Sequence, residues 1–160
     1  VAQIKVSTFH ESVRLATNRP RTTEEAQYST SFPTAVALVR GTIGPADIAD
    51  DALTDPEILR LSQALSMTED DQANAVFPAR RIARVTLHLT SGEVLTGDWM
   101  EPKWDHTAPP TAAELRAKFH ALADPILGRD RADTIETAVE NLDKTGLAPL
   151  TDQLFQPINR

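Results

Sequence analysis

The sequence predicts an α+β fold, in which a small antiparallel sheet that contains a hairpin packs against helices and further helices close the chain. Three observations support this class. Apolar and polar residues alternate at the start of the chain and again in residues 82–96, and residues 111–146 carry apolar side chains at helical spacing. Each predicted element follows from a local pattern.

The first predicted elements are a strand and a helix. The alternating residues with one buried face are Ile4, Val6 and Thr8. After the turn TNRPRTTEE, Thr22 or Thr23 can cap a helix by accepting hydrogen bonds from its first amides. This helix is expected to continue to Gly41, with an apolar face formed by Ala35, Val36, Leu38 and Val39.

The start of that helix breaks local rules. Residues 27–31 are all polar, and Pro33 follows them. A proline inside a helix removes a backbone donor and clashes with the preceding turn, at a cost of about 3 kcal/mol. Pro33 should therefore kink the helix or mark its true first turn, which leaves residues 26–32 as an irregular lead-in. A requirement other than helix propensity selected these residues.

Two short helices are predicted next, beginning at Pro45 and Pro56, and the second buries a stripe formed by Ile58, Leu61 and Leu65. The acidic run 69–71 and the residues after it are predicted to form a loop or a weak strand. An antiparallel hairpin follows, which turns at Ser91-Gly92 and buries Val85, Leu87 and Leu89.

A long connection, GDWMEPKWDHTAPP, carries both tryptophans, and loops of this kind often hold binding groups. Thr111 and Glu114 then have the spacing of a capping box. The helix that they begin presents Leu115, Phe119 and Leu122 on one face. The last predicted helix presents Ile135, Val139 and Leu142 and ends at Gly146.

Composition excludes several functions. A net charge of −7 argues against a nucleic-acid partner, whose phosphates need clustered Lys and Arg, but a few cations suffice for a small anionic substrate. The absence of cysteine excludes disulfides, thiolate metal sites and cysteine nucleophiles. No apolar run approaches the roughly 20 residues that span a bilayer, and no signal peptide is visible. We therefore expect a cytoplasmic protein without a membrane partner.

No standard catalytic motif is present, and the four histidines have no metal-site spacing, so no metal is expected. His10 and His106, in irregular segments, are better placed to move a proton near pH 7 than His88, on the polar face of the hairpin. His120 is expected to be a partly exposed helix side chain. For each histidine the alternative is a surface residue without a catalytic role.

Three cations are candidates for binding an acidic substrate. Arg19 and Arg21 flank Pro20, and a guanidinium group can hold a carboxylate by two parallel hydrogen bonds. The alternative for this pair is a solvated turn. Lys118 is either a helix-surface lysine or a cation held beside a buried Phe119.

The order of these elements resembles the C-terminal part of the MmgE/PrpD family, which includes 2-methylcitrate dehydratase, cis-aconitate decarboxylase and iminodisuccinate epimerase. The similar stretches cover nearly the whole chain in the right order. They are NRP at 18–20, EAQYS at 25–29, DPEILRLSQAL at 55–65, SGEV at 91–94 and TAAELRAKF at 111–119.

The resemblance implies an α+β lid-like domain at residues 1–108, incomplete at its N-terminus, and a C-terminal helical segment at 109–160. The family segment similar to residues 25–32 faces a cleft between the lid and a large helical domain. The polar run would then be selected for substrate. Tyr28 stands where relatives often have histidine or another aromatic residue, and Ser29 matches a recurring serine.

Family reactions remove water or carbon dioxide, or epimerise a carbon next to a carboxylate, without a metal or an organic cofactor. Such reactions need groups that hold carboxylates together with a positioned acid and base. The expected catalytic residues are Tyr28 and His10, and the expected substrate-binding residues are Arg19, Gln27, Ser29 and Lys118.

The implied partners are a small di- or tricarboxylic acid, a preceding helical domain that carries the main bases, and a second copy of the chain in a homodimer. The chain by itself should then be inactive. The competing hypothesis is a stand-alone ligand-binding or protein-interaction module, anchored by Trp99 and Trp104.

Overall fold

The computed structural model describes residues 1–158, which belong to two compact units, an N-terminal unit (Val1–Pro102) and a C-terminal unit (Lys103–Arg160). The N-terminal unit contains the sheet, and the C-terminal unit is helical. Within the described residues, no helix is both long and apolar enough to cross a membrane.

A four-stranded sheet organises the N-terminal unit, in the order β2-β1-β3-β4. The strands are β1 (Gln3–Thr8), β2 (Leu65–Glu69), β3 (Ala83–His88) and β4 (Val94–Thr96). The predicted hairpin is present as the antiparallel pair β3–β4, and β1 is antiparallel to β3. The predicted α+β class is confirmed. Because β1 and β2 run parallel, the sheet is mixed, an arrangement that requires a crossover connection.

Among the residues that the structure describes, the N-terminal unit has five α-helices beside this sheet: α1 (His10–Val13), α2 (Thr23–Tyr28), α3 (Ser31–Arg40), α4 (Pro56–Gln63) and α5 (Asp71–Val76). Two 3-10 turns, Pro45–Ile48 and Asp50–Thr54, precede α4. The Thr22 side chain accepts a hydrogen bond from the amide of Glu25 and caps α2, as predicted. Gly41, with φ of 75°, ends α3 in the left-handed conformation that favours glycine.

The core lies between one face of the sheet and helices α3 and α4. Its buried side chains include Ile4, Val6, Phe32, Val36, Ile58, Leu61 and Leu65. Leu38 and Val39, which were predicted to face inward, are exposed. The buried face of α3 is therefore confined to its first two turns.

The prediction of a loop or weak strand after residue 68 is wrong. Asp70 accepts hydrogen bonds from the amides of Gln72 and Ala73 and so caps helix α5. The preceding strand β2 was missed because its residues after Leu65 are only partly buried and show no clear alternation.

The C-terminal unit contains α6 (Ala112–Leu127), α7 (Arg129–Glu140), α8 (Leu142–Thr145) and α9 (Ala148–Leu154). The capping box of Thr111 and Glu114 is confirmed. Ile135 is buried, but Leu115, Leu122 and Val139, which were predicted on apolar faces, are more than two-fifths exposed. Leu115 and Val139 line an open groove of about 270 Å³.

We predict that Phe32→Ala lowers the free energy of unfolding of the N-terminal unit by about 3–5 kcal/mol, because it leaves a cavity at a fully buried position. The matched control is Phe155→Ala, at a side chain that is 86% exposed, and it should change stability by less than about 0.5 kcal/mol. Urea unfolding followed by circular dichroism measures both. Equal effects of the two variants would contradict the assigned core.

Candidate functional site

The polar run lies where α2 stops and α3 begins. Helix α2 ends at Tyr28, Ser29 has extended backbone angles (φ −83°, ψ 144°), and α3 starts at Ser31. Pro33 is the third residue of α3, where its missing N–H removes no hydrogen bond within the helix. Of the two predicted alternatives, Pro33 thus marks the first turn, and the irregular backbone is limited to Ser29 and Thr30.

The Ser29 hydroxyl holds this break together. Although Ser29 is buried, its Oγ donates to the carbonyl of Thr17 at 2.5 Å and accepts from the amide of Phe32 at 3.2 Å. The amide of Thr30 donates to the carbonyl of Leu15 at 2.8 Å. Residues 15–17 are therefore hydrogen-bonded, through the carbonyls of Leu15 and Thr17, to the break between α2 and α3.

Three of the predicted site residues are exposed around the break. Arg19, Gln27 and Tyr28 all face solvent, and Tyr28 is 70% exposed. Arg19 follows the segment bonded to Ser29, and Gln27 and Tyr28 immediately precede that serine. Arg19, Gln27, Tyr28 and Ser29 therefore lie on or next to this hydrogen-bonded stretch of backbone, with Ser29 buried and the other three side chains exposed. We call this region the α2–α3 rim.

Beside the rim, two buried polar atoms have no hydrogen-bond partner among the described residues, Oδ1 of Asn18 and Oγ of Ser31. A buried polar atom left unsatisfied costs about 1–3 kcal/mol, and such atoms are rare. The backbone carbonyl of Asn18 is satisfied, because it accepts from Ser62 Oγ at 2.8 Å. Two further atoms of this kind among the described residues, Arg131 Nε and Glu136 Oε1, lie in the C-terminal unit.

His10 is the first residue of α1, where an irregular segment was predicted, and it contacts different residues. Its Nδ1 is 2.8 Å from Glu69 Oε1, and its amide donates to Asn74 Oδ1 at 2.7 Å. The hydrogen bond from His10 holds the pKa of Glu69 below its usual value, with Asn74 contributing in the same direction. The pair fixes the orientation of the imidazole ring and leaves Nε2 facing away from Glu69.

Lys118 lies in the C-terminal unit, and its Nζ is 5.1 Å from the ring centroid of Trp104. It is thus an exposed lysine beside an aromatic ring, and the ring is Trp104 where Phe119 was considered. Trp104 has a φ of 65°, which is unusual for a residue other than glycine. Its side chain also hydrogen-bonds Glu114.

Trp99 has a cation partner of its own, because the guanidinium carbon of Arg84 lies 4.6 Å from its ring centroid. Contacts of this geometry contribute about 0.5–1 kcal/mol at exposed sites. Both tryptophans of the long connection therefore have one side of the ring engaged within their own unit.

A histidine that sequence reasoning placed on the surface is the centre of the densest polar cluster in the C-terminal unit. The expectation that His120 is partly exposed is wrong, since its side chain is 11% exposed. Its Nδ1 lies 2.7 Å from Asp124 Oδ1 and its Nε2 lies 2.9 Å from Glu136 Oε2. The spacing of four residues between His120 and Asp124 was the available sequence signal.

In the described part of the chain, His120, Asp133 and Glu136 bring ligand atoms within 4.8 Å of one another, close enough to share a metal ion. Both carboxylates, however, already contact guanidinium groups. Arg129 Nε is 2.9 Å from Asp133 Oδ1, and Arg116 Nε is 2.9 Å from Glu136 Oε1. Glu136 Oε1 has this ionic contact but no hydrogen bond, and Glu136 Oε2 is hydrogen-bonded to His120, so we assign the cluster as an ion-pair network.

The family model described as the MmgE/PrpD C-terminal domain matches residues 1–144, which include the sheet, the α2–α3 rim and helices α6 and α7. None of the curated proteins compared with the chain matches it.

We predict that Ser29→Ala destabilises the N-terminal unit by about 1–3 kcal/mol, because it removes the hydroxyl shared by the Thr17 carbonyl and the Phe32 amide. The backbone amides of Phe32 and Thr30 should show the largest increase in hydrogen-exchange rate. The control Ser91→Ala, at an exposed turn residue, should leave that exchange unchanged. Unaltered exchange in Ser29→Ala would show that the hydroxyl does not hold the break.

Proposed function

The chain belongs to the MmgE/PrpD family as its C-terminal domain, and from this premise we propose that it is the lid part of a cofactor-independent lyase. The proposed substrate is a small di- or tricarboxylic acid, and the proposed reaction is dehydration, as in 2-methylcitrate dehydratase. The match over residues 1–144 is the observation that carries the proposal. Decarboxylation and epimerisation are the alternative reactions, because all three begin at a carbon next to a carboxylate.

The α2–α3 rim suits such a substrate. An exposed guanidinium group at Arg19 can hold a carboxylate by two parallel hydrogen bonds, and the Gln27 amide can bind a second oxygen. Helix α3 begins at this point, and the positive end of its dipole also favours an anion.

Two groups are proposed to move protons. The phenol of Tyr28 is exposed at the rim and can donate a hydrogen bond or a proton to a leaving hydroxyl group. His10 is the second, since donation from Nδ1 to Glu69 leaves Nε2 as the basic nitrogen. Lys118, held beside Trp104 in the C-terminal unit, stays a predicted carboxylate-binding residue of that unit.

A preceding helical domain is proposed to supply the remaining bases, and the assembled enzyme is proposed to be a homodimer. General acid–base catalysis needs a base as well as an acid in reach of the reacting carbon. In this proposal the lid contributes substrate binding and two proton-transfer groups, Tyr28 and His10, and it requires the helical domain for turnover.

The test is an enzyme assembled from this chain and the helical N-terminal domain of a family member, assayed on 2-methylcitrate. We expect water loss, a kcat lowered about a hundredfold by Tyr28→Phe, and a KM raised about tenfold to a hundredfold by Arg19→Ala. The charge-matched control is Lys144→Ala, at an exposed lysine of the C-terminal unit, which should leave both constants unchanged. Release of carbon dioxide would identify the decarboxylase alternative.

Two results would contradict the proposal. The first is turnover by the 160-residue chain alone that Tyr28→Phe or Arg19→Ala abolishes, because the helical domain would then be unnecessary. The second is an active assembled enzyme whose kinetic constants neither variant changes, because the site would then lie away from the rim.

A further inference from the structure

The hydrogen-bond partners of His120 determine the protonation state of its imidazole ring. Each ring nitrogen lies within 2.9 Å of a carboxylate oxygen, Nδ1 against Asp124 and Nε2 against Glu136. A neutral imidazole has one N–H and can donate to only one of these partners. Its bare nitrogen would then face the lone pairs of the other carboxylate. Two donated hydrogen bonds require the imidazolium form.

The charges around the ring favour the same form. Asp124 is on α6 with His120, and Asp133 and Glu136 face the ring from α7, Asp133 Oδ1 at 3.6 Å from Nε2. Two guanidinium groups offset part of this negative charge. Arg129 contacts Asp124 and Asp133, and Arg116 contacts Glu136 and Glu140. The carboxylates of the network still outnumber its arginines, so a proton on His120 is electrostatically favoured.

The hydrogen bonds also cross between helices. Asp124 is one turn from His120 on α6, whereas Glu136 is on α7, beyond the turn at Gly128. The imidazolium ring therefore links the two helices, and its loss would leave the Glu136 carboxylate facing a nitrogen without a proton.

We propose that His120 is a proton-dependent clamp, which joins α6 to α7 while it carries two protons and releases α7 when it loses one. This inference is independent of the proposed lyase activity, because it depends only on contacts within the C-terminal unit. The ligand that controls this link between α6 and α7 is the proton that His120 binds.

The direction of the pH effect follows from linkage. Hydrogen bonds to Glu136 and then Asp124 raise the pKa of His120 above its ordinary value of 6.5, and the hydrogen bond from His120 lowers the pKa of Glu136 below 4.5. The stability that protonated His120 contributes to the folded state is complete below pH 6.5. It is lost as the pH rises through the raised pKa that His120 has in the folded state. The contribution of Glu136 is present above pH 4.5 and is lost at lower pH.

The experiment is a pH titration of the full chain that combines ¹⁵N NMR of the histidine rings with thermal unfolding of the C-terminal unit. We expect His120 to carry both ring protons at neutral pH and to titrate above its ordinary pKa of 6.5. The unfolding temperature should fall as the pH rises above 6.5 and through the raised pKa of His120, and His120→Gln should abolish this dependence. His106→Gln is the matched control at an exposed histidine with one carboxylate contact, and it should retain the dependence.

Glu136→Gln keeps the size of the side chain and should lower the pH at which His120 titrates, which tests the clamp even if His120→Gln fails to fold. A neutral His120 tautomer at pH 7 would overturn the proposal. A second decisive experiment repeats the NMR and thermal-unfolding measurements with equimolar Zn²⁺. If Zn²⁺ displaces the Nε2 proton and raises the unfolding temperature of the unaltered chain but not of His120→Gln, the cluster is a metal site and the clamp is wrong.

Discussion

The constraint on which the N-terminal unit depends is that β1 has a strand on each side and a helical layer over one face. It pairs in parallel with β2 and antiparallel with β3, and Ile4 and Val6 point into the core. Two adjacent parallel strands cannot be joined by a tight turn. Residues 9–64 therefore form the crossover, and helices α3 and α4 within it cover the buried face. The α2–α3 rim belongs to this connection, so its position is a consequence of the parallel pairing.

The features predicted correctly from the sequence are those with a local physical cause. Thr22, Gly41 and the Thr111 capping box each satisfy backbone groups within a few residues, and the hairpin has its turn between its strands. Strand β2 was missed because its partner is about 60 residues away and its own pattern is weak. The burial of His120 was missed for a similar reason, since it requires Glu136 from α7.

For the candidate site, the sequence predicted a location and left the arrangement of the side chains undetermined. Polar residues before Pro33 violated helix propensity, and that violation indicated residues 27–31. Only the structure separates the roles within this run. The Ser29 hydroxyl is occupied by two backbone groups, whereas Gln27 and Tyr28 are exposed. A loss of activity on replacing Ser29 would therefore include a structural component that replacement of Tyr28 lacks.

In the C-terminal unit, charged side chains provide contacts between α6 and α7. Leu115 and Val139 line an open groove and remain 53% exposed, whereas Ala132, Ile135 and Ala138 of α7 are buried. The network around His120 adds polar contacts between the two helices to this apolar burial. Removing one member of a buried charged cluster costs more than the pair contributes, because the remaining partner loses its compensation. Deprotonation of His120 has this effect without any change of sequence, since it leaves the Glu136 carboxylate facing a nitrogen that no longer donates.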